Sequence, residues 1–243
     1  MTSRICAKPR PRRAEKGLAV CRVCAVVLAV ALGVCALSIG GAPTIAAIGP
    51  EARDRTLTWD VFRNGESIGR HRLVLRHDGS GLTIENEIDI RVDLAFITLY
   101  RYRHHSSETW RDGALFALSA ETDDDGSEYS VQARSTPDGG MTVTGTAGSF
   151  NAPAGTEPSS LWQIAMTETS NVLDVESGRL LAVHFKRQAD ELVETGGAKV
   201  PATHVSVTGD LTRDMWYGAD GMLLKQQFSA RDGSRIEYRL AAD

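Results

Sequence analysis

The segment LYRYRHHSSETWRDG (99–113) concentrates side chains able to do chemistry. Alternation along a strand places Tyr100, Tyr102, His104, Ser106, Glu108 and Trp110 on one face. Arg101, Arg103, His105, Ser107, Thr109 and Arg111 take the other. The first face is aromatic with embedded polar groups, where a plain core would carry Val, Ile or Leu. Aromatic walls with a few aimed polar groups are the character of a ligand cavity. The same pattern also fits a filled core with tyrosine hydroxyls at its rim and with His104 and Glu108 as hydrogen-bonded spacers. Both readings stand on the sequence. The second face is cationic and must meet solvent or acidic surface. As a catalytic pair, His104 and Glu108 suffer from spacing: four residues along a strand is about 13 Å. Each would need a partner from another strand, such as Asp89, Glu87 or Glu121.

Other chemistry-bearing residues give less. ETDDDGSE (121–128) has consecutive Asp123, Asp124 and Asp125 with Gly126 directly after. That departs from the alternating acids of a calcium loop and reads as a solvated hairpin turn. His71 and His77 share a face but lie about 20 Å apart along a strand, too far to ligate one ion. His184 and His204 stand alone in apolar runs and read as rim or core residues. HExxH, GxSxG, P-loop and GxGxxG motifs are absent from the sequence. No cofactor, metal or catalytic residue is assigned, and an enzyme is not expected.

The elements that must position these residues begin with an address. The 243 residues carry 27 Lys and Arg against 31 Asp and Glu, a formal charge of −4. All four Cys and seven of the basic residues lie in the first 46, where Glu15 is the one acid. The remaining chain is Cys-free and about −10, which disfavours nucleic acid as a partner. A basic stretch, then the uncharged run 23–39, then small residues ending at Ala46 form the parts of a secretory signal. Residues 1–46 are therefore expected to be a signal peptide containing a helix, with export to the periplasm or beyond. An uncleaved inner-membrane anchor over 23–39 is the alternative, and would be the chain's one membrane contact. Residues 47–54 read as a linker. Without Cys, the exported part must rely on a packed core.

Residues 55–243 read as a single all-β domain. Asn-Gly at 64–65 and Asp-Gly at 78–79, 112–113, 125–126, 138–139, 220–221 and 232–233 are hairpin dipeptides. Runs rich in Val, Ile, Thr, Tyr and Phe lie between them, predicting about 13 antiparallel strands. So many cannot form a flat sheet, and a curved meander, half-barrel or barrel-like, is expected. A long connection over 147–170 reads as a lid-like loop holding Trp162 and one short helix capped by Ser159 or Ser160. In the run Met215, Trp216, Tyr217, alternation turns Trp216 away from its neighbours, so one aromatic must face outward or bind something.

YRYRHHSSETWRDG (100–113), TDDDG (122–126), WYGADG (216–221) and IEYRL (236–240), with WDVFRNGESIGRHRL (59–73) and PSSLWQ (158–163), resemble an uncharacterised family of exported proteobacterial proteins, a domain of unknown function. Gly218 and Ser107 depart from its pattern. The resemblance implies an envelope location and a β-rich fold, and carries no activity. More distantly, the order strands, loop with helix, strands is similar in architecture to envelope carriers of the LolA and LolB type. The expected function is non-enzymatic binding or carriage of a lipid or other apolar or amphipathic molecule. Tyr100, Tyr102, His104, Glu108 and Trp110 would line the site, and Trp162 would cover it. The alternatives are a filled structural module that engages an envelope protein partner, and, less favoured, a hydrolase using His104 and Glu108.

Overall fold

The computed structural model describes residues 54–79 and 81–242. The signal, anchor and most of the linker read from the sequence lie outside the described residues. Sixteen strands make one sheet. The first eight run as a meander: β1 (Arg55–Arg63), β2 (Glu66–Asp78), β3 (Gly81–Leu94), β4 (Ile97–Arg111), β5 (Ala114–Asp124), β6 (Ser127–Ser135), β7 (Met141–Gly145) and β8 (Gly148–Ala152). Then come β9 (Glu157–Pro158), β10 (Asn171–Leu173), β11 (Leu180–Arg187), β12 (Glu191–Thr195), β13 (Ala198–Gly209), β14 (Arg213–Tyr217), β15 (Leu223–Ser229) and β16 (Arg235–Leu240). Neighbours run from β8 down to β1, cross to β16, and continue through β15, β14, β13, β11 and β10 to β9. β1 joins the two halves, its Trp59 opposite Leu240 of β16.

Turn chemistry sets this register. Asn64–Gly65, Asp112–Gly113 and Asp125–Gly126 each place both residues at positive φ, the backbone whose twist matches a two-residue hairpin. The acidic stretch is such a turn: Asp123 accepts the Gly126 N–H at 2.8 Å. The expected antiparallel, curved, barrel-like all-β architecture is what the strands form.

The sheet curls back on itself. Its edges, β8 and β9, are consecutive in the chain and separated by residues 153–156 alone, which can span about 17 Å at most. The end of β7 and the turn between β10 and β11 meet at a glycine seam. A Cβ on Gly145 would lie 3.4 Å from Gly178 Cα, and Ala147 N–H donates to Ser177 O at 3.3 Å. The curl encloses one apolar cluster drawn from both halves, including Trp59, Leu73, Ile84, Leu118, Val131, Leu173, Val183, Met215 and Leu223. Each such side chain contributes roughly 1.5–3 kcal/mol by leaving water. The interior along this cluster is packed.

Two local expectations change. The segment 147–170 contributes β8 and β9 to the sheet, and its helix is a single 3-10 turn, Ile164–Thr167. That turn starts after Gln163 with no side-chain cap, so Ser159 and Ser160 do not cap it. Ser159 instead bonds β10: its N–H donates to Leu173 O and its Oγ accepts from Val175 N–H. Trp216 is buried along with both neighbours. The β12–β13 hairpin folds over the outer face and packs Val193 and Ala202 on it. The indole stacks on His204 at 4.6 Å and donates to Glu191, while His204 bridges Glu191 and Asp214. His184 is exposed.

Candidate functional site

β4 crosses the whole interior, and its alternation is as the residue pattern demands. His104, Ser106, Glu108 and Trp110 are buried, with Tyr100 and Tyr102 half-buried beside them. The opposite face is exposed and paired with acids of the flanking strands: Arg103 with Asp123 at 2.6 Å, His105 with Glu85 at 3.6 Å. The inward face does not make one wall. It divides into two groups.

At the Tyr100 end most polar groups pair with one another, though Trp59 Nε1 and His71 Nδ1 are buried without a partner. Tyr100 donates to Asp124 at 2.7 Å and Tyr102 to Glu176 at 3.3 Å. Burial and these carboxylates push both hydroxyls above the usual tyrosine range. The His104 ring bonds Thr122 at 2.8 Å and Ser106 at 3.2 Å. Burial, with His105 nearby, lowers its pKa to about 4, so it is a neutral spacer at pH 7. His71 bonds Asn86, stacks on Trp59 at 4.7 Å, and is also lowered to about 4, chiefly by burial. Arg213 reaches in from β14, donating to Gln226 at 2.9 Å and lying 5.6 Å from the Phe228 ring. Its Nε has no partner, and no carboxylate lies within ion-pair distance among the described residues.

At the Trp110 end the arrangement is different. Glu108 is fully buried, and its Oε2 accepts two indole N–H groups, from Trp110 at 2.8 Å and Trp162 at 3.3 Å. The two indoles meet edge to face, 5.8 Å apart at 86°. Oε1 makes no hydrogen bond of normal geometry, and the Ser160 hydroxyl lies beside the carboxyl as a third donor. Desolvation raises the Glu108 pKa against these donors. Beside it, Glu157 on β9 is pushed up to about 7 by burial and by Glu108, and its Oε2 is likewise buried without a partner.

Trp110, Trp162 and Glu157, with Leu82, Met166, His77, Asp112 and Gln163, line a cavity of about 440 Å³ at this end. That lies within the range of small-molecule sites. A trough of similar size, about 450 Å³, lies outside β4–β7 among Ser107, Ser119, Gln132, Thr142 and Thr144 and holds no buried ionisable group.

The segment bearing Trp162 is pinned on both sides. Leu223 N–H donates to Trp162 O at 3.0 Å, Ile164 N–H to Gly221 O at 2.9 Å, and Tyr217 OH to Leu161 O at 3.0 Å. It is a plug bonded into the barrel end. Leu161, buried, sits at φ +43, a left-handed conformation costly for a branched residue. That turn carries Trp162 from the strand edge onto Glu108.

Of the six residues singled out, Trp110 and Trp162 line the cavity and Glu108 lies behind them. Tyr100, Tyr102 and His104 belong to the other group. His104 and Glu108 share no partner. Sequence reasoning missed Glu157, Ser160 and Arg213. Glu157 precedes a proline in a segment without a periodic pattern, and the curl of the sheet alone brings it beside Glu108.

Residues 59–241 match the family model described as a domain of unknown function, DUF6134. The chain belongs to this family. The DUF6134 region spans β1 to β16 and includes all six residues. No curated protein matches the sequence. Among solved structures, the DUF6134 fold resembles a crystal structure described as a beta-barrel-like protein of domain of unknown function DUF1849 from Brucella abortus. The TM-score is 0.56 at 13% identity, over 76% of this chain and 94% of that one. At that identity the likeness bears on the fold alone.

Proposed function

We propose that this DUF6134 protein is a non-enzymatic, exported binding protein that holds a small amphipathic molecule in the tryptophan-lined cavity at the plugged end of its barrel. One observation carries the reading: a 440 Å³ cavity walled by Trp110 and Trp162, whose indoles hold the buried Glu108 carboxyl behind them, with an unpartnered carboxyl oxygen on Glu157 in its lining. Buried polar groups are ordinarily satisfied; in this cavity's own lining, His77 and Glu157 each keep a buried side-chain atom without a partner. The basic, apolar, small-residue order of the first 46 residues supports export. Trp110 and Trp162 are two of four tryptophans, so occupancy should be read in intrinsic fluorescence. Native mass spectrometry of the full chain purified from its own envelope is expected to show a bound small molecule that Trp162→Ala loses. Absence of any adduct, with no fluorescence change across a panel of lipids, amines and acids, would refute the reading.

A second reading has its own observation. The β3–β4 tip exposes Phe96 (104%), Ile97 (65%) and Leu99 (54%) together, an apolar finger of the kind that engages a partner. It lies about 40 Å from Trp110 along β4. Crosslinking from position 97 in the envelope should recover one specific partner if the tip serves that role.

A further inference from the structure

The chemistry of the cavity's walls narrows what can occupy it, given the binding reading above. Its acidic groups are Glu157 and Asp112, with Glu108 directly behind the indoles; His77 is its one basic residue, and no Lys or Arg lines it among the described residues. Arg111, adjacent to Trp110 and Asp112, packs its guanidinium 3.7 Å over the Phe116 ring instead. An ionised carboxylate can only accept hydrogen bonds, so the buried, unpartnered Oε2 of Glu157 calls for a donor, while Glu108 has the Ser160 hydroxyl and two indoles beside it. Their two closest aromatic neighbours, Trp110 and Trp162, offer π-faces, which attract cations. Leu82, Ala165 and Met166 complete an apolar wall.

We propose that the ligand is an organic cation, an ammonium group on an apolar body, with the ammonium held by Glu157 against the indoles of Trp110 and Trp162 and the body lying along Leu82 and Met166. An anionic headgroup would meet two carboxylates and, among the described residues, no Lys or Arg. A hard divalent metal needs six or more oxygens around it; Glu157, Asp112 and Gln163 are the oxygen-bearing side chains of the lining, and no cluster of three acidic, His or Cys ligands forms among the described residues. An ammonium brings three donors to a site short of donors and matches an acidic, aromatic lining. The raised pKa of Glu157 agrees with this: an acidic group left without its counter-charge holds its proton.

The test uses three probes with one body and different ends: phenethylamine, 2-phenylethanol and 3-phenylpropionate. Each is titrated into the full chain at pH 8 by intrinsic fluorescence and calorimetry. The amine should bind at least tenfold more tightly than the alcohol, and the acid most weakly. Glu157→Gln should bring the amine down to the alcohol while leaving the alcohol's affinity within about twofold, which also shows that the variant is folded. Equal binding of amine and alcohol, or tighter binding of the acid, overturns the charge assignment while the cavity reading survives. Failure of all three probes overturns both. Calcium chloride alone giving a thermal shift that Glu157→Gln removes would make this a metal site and also overturn the proposal.

Discussion

Replacing Glu157 by glutamine isolates what its carboxylate costs the fold. Burial and Glu108 raise its pKa from the ordinary 4.5 to about 7. The unfolded chain therefore gives up this proton first as pH rises, and the native state loses stability from about pH 4.5 until pH passes 7. At 1.4 kcal/mol per pH unit the full difference is about 3 kcal/mol. Glu157 is only half-buried, and solvent screening reduces that to about 1–2 kcal/mol. Glutamine keeps the shape and never ionises. The stability difference between Glu157→Gln and wild type should thus be flat near pH 4 and grow by about 1–2 kcal/mol in favour of the variant by pH 8. Urea unfolding at half-unit pH steps measures it. With a slope near 2 kcal/mol per molar, typical for this size, the midpoint should rise about 0.5–1 M by pH 8 relative to pH 4. Both proteins carry the same histidines, whose own titrations largely cancel in the difference. A pH-independent difference, or a variant that becomes the weaker protein at high pH, would refute the placement of Glu157 against Glu108.

Three further outcomes follow from the same geometry. His71 and His104 are both lowered from 6.5 to about 4, so their stabilising contribution is complete above pH 6.5 and is lost as pH falls toward 4. Wild type should lose several kcal/mol between those values in urea unfolding, and His104→Gln should flatten the slope. Arg213→Met removes a guanidinium whose Nε is unpartnered and that has no ion-pair partner among the described residues, and should leave stability within about 1 kcal/mol of wild type or raise it; a loss above about 3 kcal/mol would show that the arginine is structurally required. Gly178→Val puts a branched side chain at φ +74, with its Cβ 3.3 Å from Val131. It should cost at least about 2 kcal/mol and speed amide exchange at the seam between β7 and the β10–β11 turn.

The division between sequence and tertiary structure runs through β4. Alternation alone identifies which residues of 100–110 face inward, because a strand's side chains alternate whatever surrounds it. Asn-Gly and Asp-Gly pairs mark hairpins for an equally local reason: positive φ is a property of the residue. The curl, in contrast, comes from accumulated twist and a glycine seam between positions 145 and 178, neither of which has a local pattern.

What the sequence determined by itself was therefore a barrel-like antiparallel body and a strand with an unusual inward face. The tertiary structure decided what that face does. The register of β5 gave His104 and Tyr100 polar partners across the strands and so made them spacers. The return of the chain through the strained turn at Leu161 set Trp162 against Glu108, and curling brought Glu157 from the far edge to its side. A carboxylate's role depends on the dielectric, the donors and the other charges within a few ångströms. Those neighbours lie some 50 residues away in the chain, so they are legible only once it is folded.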